Sequence, residues 1–91
     1  MVLLQFVFVD KEKVEMKNIT MFNNVESLKK SIKDFTLVAD YEFFNVLVKT
    51  GKSYHVVTIQ YDVYDDSFYV SHPSFNFSID EIEEYAILSK K

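Results

Sequence analysis

The sequence predicts an α+β fold in the order β-β-α-β-β-β-α, with a mainly antiparallel sheet and its helices packed on one face, residues 1–91 forming a single small domain. Three observations predict it. Between Tyr41 and His72, apolar and polar residues alternate in blocks separated by short turn sequences. Two capping-box signatures, Asn23–Glu26 and Ser78–Glu81, each lead into apolar residues at helical spacing. The chain has 91 residues of which 48% are hydrophobic, enough for one core and too few for two.

Val2–Val9 is β-branched and aromatic with apolar residues on both faces, the pattern of a central strand. Asp10-Lys11-Glu12-Lys13 is a polar turn, and Val14–Met21 reads as the returning strand. That turn pairs Val9 with Val14, Val7 with Met16 and Leu4 with Ile19. A helix follows, with the Asn23 side chain as its cap and Glu26 reaching back. Val25, Leu28, Ile32 and Phe35 form its apolar stripe, Lys29, Lys30 and Lys33 lie on the other side, and it runs about three turns.

Three strands come next: Tyr41–Lys49, Ser53–Val63 and Ser67–His72. The sole glycine lies in the turn Thr50-Gly51-Lys52, where a hairpin tip needs positive φ, and Tyr64-Asp65-Asp66-Ser67 makes the second turn. Because side chains alternate across a sheet, these turns sort the residues onto two faces. One carries Phe44, Val46, Val48, His55, Val57, Ile59, Tyr61, Val63, Phe68 and Val70 and is the core face. The other collects Phe43, Asn45, Leu47 and Lys49 beside Tyr54, Val56, Thr58 and Gln60, with Tyr64 and Tyr69 further along. From Ser78 onward the chain reads as a second helix, with Ile79, Ile82, Tyr85 and Ala86 as its apolar stripe and Glu83 and Glu84 facing water.

Composition excludes several classes of function. Without cysteine there is no disulfide, thiolate zinc site or thiol nucleophile. The most apolar stretch, Met1–Val9, is far below the roughly 18 residues of a membrane span and lacks the marks of a secretory signal, so a cytoplasmic protein is expected. Residues 53–89 hold Asp62, Asp65, Asp66, Asp80, Glu81, Glu83 and Glu84 with no lysine, a field that favours basic partners and disfavours phosphate backbones. Arginine, the residue that forks onto guanine edges and phosphates, is absent altogether.

No phosphate loop, nucleophile elbow or metalloprotease motif occurs, and neither a metal nor a cofactor is expected. His55 and His72 fall on the same face, but the expected register puts His72 opposite Ile59, roughly 13 Å from His55 at strand rise, too far to share a metal or a proton. Asp62, Asp65 and Asp66 sit in a hairpin turn without the spacing of a calcium loop.

The sharper signal is the second face. Phe43, Leu47, Tyr54, Val56 and Tyr69, with Tyr64 and the acidic rim of Asp62, Asp65 and Asp66, have the composition of a protein-docking surface. The expectation is therefore a non-catalytic protein-binding module whose partner is a basic protein surface or a second copy. Its general character, with no residue motif behind it, fits small accessory proteins of phages and mobile elements, some of which inhibit host nucleic-acid machinery as anti-CRISPR proteins and DNA mimics do. Two alternatives stand beside it. One is a nucleic-acid binder using the aromatic face and Lys11, Lys13, Lys17, Lys29, Lys30 and Lys33; the other is a small enzyme using His55 or His72.

Overall fold

The computed structural model describes residues 6–10, 12–15 and 19–91. Its strands are β1 (Phe6–Val9), β2 (Glu12–Glu15), β3 (Phe44–Thr50), β4 (Ser53–Asp62), β5 (Ser67–Ser71) and β6 (Glu84–Lys90), and one helix, α1 (Val25–Ala39), crosses between β2 and β3. The fold is α+β, with one helix where two were expected. The sheet runs β2-β1-β4-β3-β6, and β5 also pairs with β4. All pairings are antiparallel except β1 with β4, which meet in parallel at Val9 and Tyr54.

The principal core follows the expected partition. Phe44, Val46 and Val48 of β3 and Val57 and Ile59 of β4 are buried against Leu28 and Ile32 of α1. The β3–β4 register is the expected one, Phe44 opposite Ile59 and Val48 opposite His55, closed by Gly51 at φ +61°. α1 starts one residue later than expected. Asn24 is its cap and accepts from the backbone N–H groups of Glu26 and Ser27, and the helix ends at Asp40 in the left-handed conformation.

Three expectations are corrected. The first hairpin is tighter: Val9 pairs with Glu12 and Val7 with Val14, because Asp10 takes a left-handed conformation (φ +50°) that allows a two-residue connection. Leu4 and Met16, which the expected register paired with Ile19 and Val7, lie outside the described residues.

The β4–β5 hairpin is shifted by two. Asp62 pairs with Ser67 and Tyr61 with Phe68, and the loop is Val63–Asp66. Asp62 Oδ1 accepts the N–H groups of Tyr64 and Asp65, so the turn closes before Val63 can enter the strand, and Val63 lies exposed instead of in the core.

The third correction is the C-terminal helix. Its capping box is real: the Ser78 N–H donates to Glu81 Oε2 at 2.8 Å, but only a single 3₁₀ turn, Ile79–Glu81, follows. The chain then extends as β6 along β3. There Tyr85 enters the principal core while Ala86 faces the other way. β3 has buried residues on both faces and needs a neighbour on each edge, and pairing with β6 outweighs the local helix signal.

With no second helix, the far face of the sheet is covered in part by other means. Leu47, Val9 and Ala86 form a small second core, with Ile19, Met21 and Tyr54 packed against it. The same segment is tied to the β6 edge by reciprocal backbone hydrogen bonds between Phe22 and Tyr85, both 2.8 Å. No helix among the described residues is long and apolar enough to cross a membrane.

Candidate functional site

The second face divides into unlike halves. Asn45 Nδ2 donates to Ser89 Oγ (2.9 Å) and Thr58 Oγ1 donates to Asn45 Oδ1 (3.2 Å), drawing a polar row across β6, β3 and β4. On one side of the row Leu47 is only 2% exposed and Tyr54 packs beside it, so neither is the open anchor expected from sequence, while Val56 is 38% exposed. On the other side Phe43 and Tyr69 are 42% and 50% exposed, and Tyr64 stands free at the hairpin tip.

That second side opens into a groove because β4 outruns β3. Phe44, the first residue of β3, already pairs with Ile59, so Gln60, Tyr61 and Asp62 continue with β5 alone as neighbour. The connection from α1 passes beside this overhang, and a cavity of about 620 Å³ lies there. Tyr41, Tyr61, Tyr64 and Tyr69 line it together with the carboxylates of Asp40, Glu42 and Asp62, and no lysine is in the lining. Thr36 Oγ1, also at this cavity, is buried with no hydrogen-bond partner among the described residues.

Cations already rest on two of these rings. Lys90 Nζ lies 5.5 Å from the centre of Tyr41, and Lys33 Nζ 5.6 Å from that of Tyr61. Lys33 also reaches Asp66 at 3.0 Å, and the Tyr61 hydroxyl donates to the same carboxylate at 2.6 Å. The Tyr61 bond, joined by Lys33, holds the Asp66 carboxyl below its ordinary value, and the same bond raises the Tyr61 phenol. Asp66 is thus part of an internal ion pair, while Asp65 is an exposed loop residue.

A second cluster was not expected. Extending the observed β4–β5 register by one residue from Thr58–Ser71 brings His72 opposite Val57, next to His55, and the two rings lie 5.3 Å apart. The separation of roughly 13 Å expected from sequence is overturned by the two-residue shift of the turn. β1 and β5 share one edge of β4 and leave a gap between Tyr54 and Thr58. Asp10 fills it. Its N–H donates to the Tyr54 carbonyl (3.2 Å) and its Oδ2 accepts the Val56 N–H (3.3 Å). Oδ1 meets His55 Nδ1 at 2.8 Å and His72 Nε2 at 2.7 Å.

The proton of each ring can be placed. Asp10 Oδ1 accepts, so His55 donates from Nδ1; the Ser74 N–H donates to His72 Nδ1 at 3.0 Å, so His72 donates from Nε2. Partial burial pushes the Asp10 carboxyl up, but the hydrogen bonds from His55, His72 and Val56 outweigh it and hold the group below its ordinary value. Phe75 packs over both rings, with centroids 4.5 Å from His55 and 5.0 Å from His72. A cavity of about 650 Å³ adjoins the cluster, and Lys52, Ser53, Tyr54 and Ser74 share its lining.

Of the lysines considered for phosphate binding, Lys11 and Lys17 lie outside the described residues and Lys13 stands on β2. Lys29 is paired with Asp80 (2.6 Å) and Glu26 (3.6 Å), and Lys33 with Asp66. Comparison with family models, curated proteins and solved structures found no match to this chain.

Proposed function

We propose that this protein is a non-catalytic binding module that docks on a basic protein surface, receiving a lysine or arginine side chain of its partner in the groove between the α1–β3 connection and the β4–β5 hairpin. The observation that carries the reading is the lining of that groove, four tyrosines and three carboxylates with no lysine. Carboxylates attract the cation and aromatic faces accept it once it is partly desolvated. Phe43 and Tyr69, exposed nearby, add apolar contact area around the charged anchor. Leu47, Tyr54 and Val56 lie beyond the polar row and take no part in this surface.

The same reading places the module in the cytoplasm, as an inhibitory accessory protein of a phage or mobile element. An acidic C-terminal half and internally paired Lys29 and Lys33 support a protein partner over a nucleic acid.

The experiment is a titration of ¹⁵N-labelled protein with a short lysine- and arginine-rich peptide, and with a glutamate-rich peptide of equal length. Amide shifts are expected at Gln60–Tyr64, Tyr69 and Tyr41 with the basic peptide alone, weakening steeply as salt rises. Tyr69→Ser together with Asp62→Asn should reduce the affinity at least tenfold. Equal response to both peptides, or shifts confined to other parts of the sheet, would sink the reading.

A further inference from the structure

We propose that Asp10, His55 and His72 form a binding site for one divalent transition-metal ion of the zinc class. Two imidazoles and a carboxylate are the donor set that borderline cations of this class select, whereas calcium and magnesium take oxygen ligands. The three donor atoms, Oδ1 of Asp10, Nδ1 of His55 and Nε2 of His72, all lie within 4.8 Å of one another. They come from the β1–β2 turn, from β4 and from the residue after β5, and they converge where the edge of β4 is left uncovered.

The present spacings are those of hydrogen bonds, with both rings directing N–H toward Oδ1 at 2.7 and 2.8 Å. Tetrahedral zinc with bonds of about 2.0–2.1 Å holds its ligand atoms about 3.3 Å apart. A metal ion therefore takes the place of the proton on each ligating nitrogen and moves Asp10 Oδ1 about half an ångström further from both, without any change of strand pairing. The two rings are well shielded, with 8% and 5% of their side-chain surfaces exposed, while the Asp10 side chain keeps 34%. The adjoining cavity leaves room for water or an exogenous ligand in a fourth position, the arrangement of an open rather than a purely structural site.

One contact must yield, and it supplies the signature. When Nε2 of His72 holds the metal, the ring proton moves to Nδ1, where the Ser74 N–H now donates. Metal loading therefore breaks the Ser74–His72 hydrogen bond. Each ring keeps its single proton, carried on the nitrogen turned away from the metal.

The test uses untagged, chelator-treated protein titrated with Zn²⁺ alone, read by calorimetry and by ¹⁵N and imidazole NMR, with Mg²⁺ as the control. The expected result is one saturable equivalent of Zn²⁺ and no response to Mg²⁺. The Ser74 amide and the ring signals of His55 and His72 should shift together. His72→Ala and His55→Ala should each weaken binding at least tenfold. Absence of saturable one-to-one binding by the wild-type protein overturns the proposal. So do shifts that fall on the Asp62–Asp66 loop and spare Ser74. The wild-type shift map decides the matter even if a histidine variant fails to fold.

Discussion

Asp66 shows how much one side chain joins. It sits at positive φ (+51°) in the β4–β5 loop, accepts the Tyr61 hydroxyl and faces Lys33 of α1, so hairpin and helix are linked through a single carboxylate. These partners lower its folded-state value, and a carboxyl so lowered stabilises the fold above its unfolded value of about 3.9. That contribution is lost as pH falls from there through the lower folded value. Urea midpoints measured between pH 6 and pH 3 should therefore fall less for Asp66→Asn than for the wild type. Identical slopes would mean that the pair adds nothing on the acid side. The phenol of Tyr61 is raised by the same bond, so its share of the stabilisation is present at neutral pH and lost on the alkaline side, as pH rises through the raised value. The residue scale also holds what sequence reading missed. In the sequence Asp10 reads as a plain turn residue, and nothing in its neighbours announces that one carboxylate closes a gap in β4 and gathers two histidines.

At the scale of elements, local signals were sound where tertiary pairing agreed with them. α1 is correctly placed by its stripe of Val25, Leu28, Ile32 and Phe35, but its cap moves from Asn23 to Asn24 and its 15 residues make about four turns, one more than expected. Asn24→Ala should cost about 1 kcal/mol in equilibrium denaturation and Asn23→Ala close to nothing; the reverse order would restore the earlier cap. The Ser78–Glu81 box forms as drawn yet yields one turn, because the free edge of β3 recruits the following residues as β6. A signal for this was present. Val46-Leu47-Val48 is buried without alternation, and such a run marks a strand covered on both faces, as inside a sheet rather than at its edge. Turn registers were misjudged by two in both outer hairpins, at Asp10 and at Asp62–Asp66. At Asp10 the positive φ makes a tighter closure than the expected four-residue turn, while Asp62, accepting two backbone N–H groups, starts a four-residue loop one residue earlier than expected. A shift of two preserves which face a side chain occupies but moves it about 6.6 Å along the strand. Face assignments within the paired strands therefore survived, while Val63 left the core face and the His55–His72 distance changed.

For the molecule as a whole, the consequential question is how the sheet's second face is closed, since the proposed docking surface lies at its end. Leu47 carries a definite answer. It is buried by Val9, Ala86 and the chain around Ile19 and Met21, with no helix of the described residues above it. If that small cluster is a true core, truncating Leu47 removes well-packed methyl groups and leaves a cavity at a cost of about 2–5 kcal/mol. A chain of this length has a total stability of roughly 5–14 kcal/mol, so the loss is large, and a charged residue at the position should unfold the protein outright. Val56, on the same face but open to solvent, should lose no more than about 0.5–1 kcal/mol on truncation to Ala. The pair of variants, compared by urea midpoint with unchanged slope, separates a covered face from an open one. Near-equal losses at the two positions would mean that residues 19–21 do not seal the sheet in solution. The apolar surface around Leu47 would then be free for a partner, and the docking surface would extend past the Asn45–Thr58 row instead of stopping at it.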